Sequence, residues 1–122
     1  MCDNARVCGN ARVSGDALVC GNVFVYDNAL VYGDARVYDN ALVCGNARVC
    51  DNSSIVWFTE VGYENGTLTV CRGENGLVVT RGCFCGSVDE FFEASNKKHD
   101  AKIRREYELL IEVAKSRIGV DQ

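Results

Sequence analysis

Valine recurs at every sixth residue, at positions 7, 13, 19, 25, 31, 37, 43 and 49, and Ile55 continues the series. Two residues before each lies a small or short side chain: Ala5, Ala11, Ala17, Val23, Ala29, Ala35, Ala41, Ala47 and Ser53. Pairs drawn from Gly, Asn and Asp, such as Gly9-Asn10, Gly15-Asp16 and Asp27-Asn28, separate the units. Each unit therefore runs turn, turn, small, x, Val, x. A helix needs apolar spacing near 3.6 residues and would break at the recurring turn pairs. A hairpin meander needs longer strands than the four residues left between turns. What fits is a β-solenoid, in which short strands alternate with bends. In Ala11-Arg12-Val13-Ser14, alternation turns Ala and Val inward and Arg and Ser outward. Gly, Asn and Asp at the corners tolerate the left-handed backbone that sharp bends demand.

These units resemble the hexapeptide-repeat family, whose members form left-handed parallel β-helices of triangular section. A right-handed solenoid is the alternative. The resemblance implies three units per coil of 18 residues, so the nine units of residues 1–56 make three coils. With strands stacked about 4.8 Å apart, the prism is roughly 15 Å tall. Taken modulo 18, the first face carries Arg6 and Cys8, then Phe24 and Tyr26, then Leu42 and Cys44. The second carries Arg12 and Ser14, Leu30 and Tyr32, Arg48 and Cys50; the third carries Leu18 and Cys20, Arg36 and Tyr38, Ser54 and Val56. The first face is the most apolar, and an outward patch of this kind is rarely left in water. Phe24, Tyr26, Leu42 and Cys44 are therefore expected to pack against a symmetry mate or against the C-terminal segment. The resemblance implies a homotrimer with coils side by side, and three coils are few for stability alone.

After Asn52 the period is lost, and the chain divides into a repeat region, 1–56, and a C-terminal segment, 57–122. Residues 55–63 read as a strand, Glu64-Asn65-Gly66 as a turn, Thr67–Arg72 as a second strand, Gly73–Gly76 as another turn and Leu77–Phe84 as a third strand. Ser87 and Glu90 form the S-x-x-E pattern of a capping box and open a helix with Val88, Phe91 and Phe92 on its apolar face. After a break at Asn96–His99, Asp100 caps a second helix of about 18 residues, with Ile103, Tyr107, Leu110, Ala114 and Ile118 at helical spacing. The expected fold is thus mainly β: a short left-handed parallel β-helix, then a small antiparallel meander and two α-helices. The β-β-β-α-α tail looks similar to tails on small hexapeptide-repeat proteins of bacteria and their viruses.

The formal charge of −4 lacks the basic excess of a general nucleic-acid binder. Residues 1–56 hold four Arg against six Asp, and the rest holds nine basic and eleven acidic residues, so neither half is strongly biased. No apolar run approaches the roughly 18 residues of a bilayer span, and repeats begin at Cys2 in place of a signal peptide. The expected location is the cytoplasm, or the host cytoplasm for a viral protein. A reducing cytoplasm disfavours disulfides among the eight cysteines. Cys2, Cys8, Cys20, Cys44 and Cys50 share one repeat position with Tyr and Ser, which marks a slot for a mid-sized side chain. Cys83-Phe-Cys85 is C-x-C, with Cys71 as its companion, and lacks the knuckle spacing of a structural zinc site. No metal and no cofactor is expected.

Members of the resembled family that transfer acyl groups use a His as general base between subunits, and the γ-class carbonic anhydrases hold zinc with three His. This chain has one His, His99, beside Lys98 and Asp100 in the helix connection. A general base must reach its proton, and nothing places His99 in the inter-coil cleft, so the resemblance implies the fold and not the activity. The corner glycines recur too regularly to cradle a phosphate, and Asp16, Asp27, Asp34 and Asp39 are explained by turn chemistry. Lys97, Lys98, Lys102, Arg104 and Arg105 read as a solvated helix start. What remains is Arg with Tyr on outer faces: Arg12, Tyr32, Arg36, Tyr38 and Arg48. Arg offers forked donors to phosphate or carboxylate and Tyr a stacking surface; the same residues could instead pair with corner Asp. Two functional classes fit. One is a non-catalytic homo-oligomer that captures a small anionic, nucleotide-like ligand between subunits, by analogy a phage-type sponge of a host signalling nucleotide. The other is an adaptor whose β-helix trimerises and whose tail binds a partner protein. An acyltransferase-like enzyme stands third.

Overall fold

A computed structural model describes residues 5–51, 54–61, 66–73, 76–81, 84–98 and 101–118. Eight two-residue strands form the solenoid: β1 (Arg6–Val7), β2 (Arg12–Val13), β3 (Leu18–Val19), β4 (Phe24–Val25), β5 (Leu30–Val31), β6 (Arg36–Val37), β7 (Leu42–Val43) and β8 (Arg48–Val49). They pair in parallel as β1-β4-β7, β2-β5-β8 and β3-β6. Arg6 aligns with Phe24 and Leu42, Arg12 with Leu30 and Arg48, and Leu18 with Arg36, each step being 18 residues. The three faces are those obtained modulo 18. Valines and alanines fill the interior: Val19, Val23, Val25, Ala29, Val31, Ala35, Ala41, Val43, Ala47 and Val49 are wholly buried. At the corners, Asn10 donates to Asn28 and Asn22 to Asn40, at 3.3 and 3.2 Å, so side-chain ladders join successive coils.

Strand β9 (Ile55–Val61) leaves the solenoid and enters an antiparallel sheet with β10 (Gly66–Gly73), β11 (Gly76–Arg81) and β12 (Phe84–Ser87), in the order β12-β11-β10-β9. The stretch Leu77–Phe84, expected to be one strand, is two: Arg81 pairs with Phe84, so the chain reverses between them and the tail is ββββαα. The sequence carries a strand breaker within this stretch, Gly82. Helix α1 (Val88–Lys98) starts on the expected capping box: the Ser87 N–H donates to Glu90 Oε1 at 2.9 Å and the Glu90 N–H to Ser87 Oγ at 3.1 Å. Helix α2 (Ala101–Ile118) has 18 residues and buries Tyr107, Ile111, Ala114 and Ile118. Ile111 joins the expected stripe, while Ile103 and Leu110 are half-buried. The expected roles of Cys2, Asn52, Ser53, Tyr63, Glu64, Asn65, Glu74, Asn75, Cys83, His99 and Asp100 lie outside the described residues.

The sheet has two working faces. Leu68, Val70, Leu77 and Val79 point to the helices and form a second core with Val88, Phe91, Tyr107 and Ile111. The alternate residues point to the solenoid, where Cys71, Trp57 and Val78 join its core. Thr69 and Thr80, paired across β10 and β11, are buried on that side. Thr69 Oγ1 accepts the Leu42 N–H at 3.3 Å, and the Thr80 hydroxyl donates to the Leu42 carbonyl at 3.2 Å. The Arg72 N–H donates to the Ser54 carbonyl, and Ala47 bridges to Gly73. A parallel solenoid ends in a row of unpaired backbone groups that invites further strands. Here the sheet caps that edge, and two hydroxyls take the place of a fourth coil. Thr80→Val should deprive the part-buried Leu42 carbonyl of this donor and lower stability by about 1 kcal/mol in urea denaturation, while Thr80→Ser, which keeps the hydroxyl, should lose less. Equal losses for the two variants would assign the effect to packing.

The same packing decides the fate of the apolar first face. Leu42 is half-buried and Cys44 wholly buried beneath the chain's own sheet, so the tail, of the two expected covers, takes the third coil. Cys44 is thus covered by the chain's own tail, while Leu42 keeps part of its surface exposed. Phe24 and Tyr26 lie one coil below, with rings edge to face at 5.7 Å.

Candidate functional site

The third face of the solenoid does not run into a neighbouring coil above β6. Among the described residues β6 pairs with β3 alone, and residues of β9 and α2 lie beside it. Between them lies a groove of about 860 Å³. Leu18, Arg36 and Tyr38 form its solenoid wall, Trp57 and Phe58 its β9 wall, and Val113 and Arg117 its helical wall. The floor is the buried Val37 and Ile55.

Trp57 sits 18 residues above Asp39, and its position follows from that stacking. Its indole N–H donates to Asp39 Oδ2 at 3.2 Å. Its ring meets Tyr38 edge to face, with centroids 4.8 Å apart and planes at 88°. One indole edge is thus tied to a corner carboxylate, and the aromatic pair is held open toward the groove. Leu18, Tyr38 and Val113 are each about half exposed, at 49%, 51% and 50%. Arg36 and Arg117 are both exposed and come from elements far apart in sequence. Two guanidinium groups, two aromatic rings and aliphatic walls suit a ligand with both an anionic group and a flat apolar part. Among the described residues no His, Asp or Glu lines the groove, and Tyr38 is a titratable side chain in its lining.

The five expected ligand residues are divided by the structure. Arg36 and Tyr38 lie in the groove together. Arg12, Tyr32 and Arg48 lie on the second face, away from it. Arg48 is engaged with the backbone: its Nη1 donates to the carbonyls of Asn28, Asn46 and Ala47 at 3.2–3.3 Å, stitching one coil to the next. Trp57 and Arg117 were not expected. The one available signal was that Trp57 falls in register with Asp39 and Gly21 when the 18-residue count is carried past the last repeat. In the basic cluster, the Lys97–Glu93 and Arg105–Glu108 pairs are well exposed, and such pairs contribute little.

The cysteines depart from the expectation that disulfides are disfavoured. Cys44, at the end of β7, is bonded to Cys85 in β12, and Cys20 is also disulfide-bonded. The cause is the cap: it brings a tail sulfur over a repeat sulfur 41 residues away. Cys71 is a free thiol in the solenoid core, and burial pushes its pKa up to about 12, which keeps it neutral and poorly nucleophilic.

Compared with known proteins, the chain matches the family described as YdcK beta solenoid repeat at residues 5–21, 23–37 and 35–51, three windows confined to the solenoid. No curated protein and no solved structure matches it. No helix among the described residues is long and apolar enough to cross a membrane.

Proposed function

We propose that this chain is a non-catalytic binding module that holds a small anionic ligand with a flat ring, of the nucleotide class, in the groove between the third solenoid face and α2. The observation that carries this reading is the convergence of Arg36 and Arg117 on a groove walled by Tyr38 and Trp57. A guanidinium donates in a fork to phosphate oxygens, and an aromatic face or edge accepts a base. The solenoid in this reading is a left-handed, hexapeptide-type coil that assembles as a homotrimer and works in a cytoplasm. The exposed Arg12 and Tyr32 of the second face then lie toward neighbouring copies. Sequestration, not turnover, is the outcome in this reading.

Trp57 is the only tryptophan of the chain, so its emission reports on the groove directly. Titration with nucleoside mono- and triphosphates and cyclic dinucleotides should quench it saturably for at least one class. Arg36→Ala or Arg117→Ala should each weaken that binding by at least about tenfold, as expected for loss of a charge-assisted hydrogen bond. Native mass spectrometry of protein taken straight from cells should show a trimer with a stoichiometric passenger. Bare chains, together with a Trp57 emission unmoved by every nucleotide, would sink the reading and favour the adaptor role.

A further inference from the structure

We propose that Asp27, Cys44 and Cys85 form a metal clasp that replaces the Cys44–Cys85 disulfide when that bond is reduced, holding one zinc-class divalent ion. The ligand atoms of the three residues all lie within 4.8 Å of one another. They come from three parts of the fold: a corner of the second coil, the end of β7 in the third, and β12 of the cap. Two thiolates and a carboxylate are a donor set that suits zinc, with the fourth position left to water.

The surroundings hold this set in place. Asp27 has a left-handed backbone, φ 58°, and its Oδ2 accepts the Gly45 N–H at 3.3 Å, so the carboxylate is fixed at the corner before any metal arrives. A carboxylate has a second oxygen with which to bind an ion. Cys44 is wholly buried and Cys85 half-buried, so one sulfur lies inside the joint and the other at its mouth. Gly45 lies directly beside the pair: a Cβ there would stand 3.6 Å from the Cys85 sulfur, at ordinary contact distance. Among the described residues, five of the equivalent positive-φ corners are glycines, and Asp39 shares the type of Asp27.

The chemistry balances. A low-molecular-weight thiol reductant, two molecules per bond, converts the disulfide to two cysteine thiols and is itself oxidised to its disulfide. The divalent ion then displaces one proton from each thiol, and two metal–sulfur bonds stand where one sulfur–sulfur bond stood. Either way the third coil is tied to the capping sheet. The clasp thus survives in a reducing compartment, where the disulfide is lost.

The test uses the full chain, reduced with a water-soluble phosphine without oxygen and titrated with Co²⁺. The expected result is one Co²⁺ per chain, with sulfur-to-metal charge-transfer absorption and the visible bands of a tetrahedral ion, both removed by Zn²⁺. The oxidised chain should take up none. The paired substitution Cys44→Ser and Cys85→Ser should abolish the charge-transfer band while every other cysteine remains. Because that pair also removes the disulfide and loosens the cap, Asp27→Asn decides: Asn tolerates the left-handed corner and keeps an oxygen for Gly45. It should weaken Co²⁺ binding by more than the roughly 10–100-fold that loss of an outer-shell partner costs. Charge-transfer absorption that persists in the double serine variant, Co²⁺ affinity unchanged in Asp27→Asn, or no uptake by the reduced chain would each overturn the proposal.

Discussion

Replacing Tyr107 with alanine should remove on the order of 3–5 kcal/mol of stability, the range for deleting a large buried aromatic side chain. Tyr107 is among the largest fully buried side chains of the molecule, 1% exposed. It stands edge to face with Phe91, ring centroids 4.9 Å apart, and so joins α2 to α1 over the apolar face of the sheet. The rings of Phe84 and Phe92 continue this stack around Phe91 at 5.6 and 6.1 Å. Alanine would open a cavity among side chains anchored on three elements, with little freedom to collapse. A domain of this size is stable by only about 5–15 kcal/mol, so the loss is a large share of the whole. Its consequences reach the solenoid, because the sheet that α2 backs is the one whose threonines close the third coil. Leu109→Ala, two residues away and 45% exposed, should change stability by no more than about 0.5 kcal/mol. Urea denaturation of the two variants checks the pair. A Tyr107→Ala loss below about 1 kcal/mol, the ordinary value for an arbitrary substitution, would mean that the helices are not part of one cooperative unit with the sheet.

The solenoid was legible because each coil repeats one environment. A valine at position 13 meets what a valine at 31 meets, so the period, the faces and the register follow from counting, and the pairing of Arg6, Phe24 and Leu42 is the result. The capping box of α1 was legible for a related reason: both of its bonds are made within four residues. The tail and the groove depend on contacts that no local period encodes. Thr69 and Thr80 are polar residues in strands, and the docking of their face onto Leu42 makes them interior residues. Cys44 fitted a repeat slot, and Cys85 belonged to a C-x-C pattern, so their union needed the cap's position. Arg117 reaches the groove because α2 buries Tyr107, Ile111, Ala114 and Ile118 against the sheet and leaves the adjoining face, with Val113, toward the solenoid. That choice of face shares the helical period seen in the sequence but not its partner. Arg48 shows the converse: its type suggested a ligand, and its place beside three carbonyls gives it a backbone role.

The corners of the solenoid should differ sharply in what they tolerate, and Gly33→Ala should be the most costly of these changes, at roughly 2–3 kcal/mol, from a strained backbone and a backbone collision together. Gly33 has φ 61°, where a β-carbon is crowded by its own chain. A Cβ there would also lie 2.6 Å from the carbonyl oxygen of Cys50 in the coil above. That oxygen accepts the Asp34 N–H at 3.2 Å, so moving it away would weaken the bond that joins the second coil to the third at this edge. Gly9 has nearly the same backbone, φ 65°, but its Cβ would meet nothing closer than 3.4 Å. Gly9→Ala therefore carries the backbone strain alone, about 1–2 kcal/mol. Asp39 completes the series. It already holds a side chain at φ 61° and uses it to accept the Trp57 indole N–H. Asp39→Asn, which tolerates the same backbone and keeps an acceptor oxygen, should stay within about 0.5 kcal/mol of the parent. Thermal and urea unfolding of the three variants should rank them Gly33→Ala, Gly9→Ala, Asp39→Asn in decreasing loss. Equal losses at Gly33 and Gly9 would show that backbone conformation alone sets the cost of a corner. A loss confined to Gly33 would show that the close stacking of coils sets it, and that glycine recurs there to let one backbone pass beneath the next.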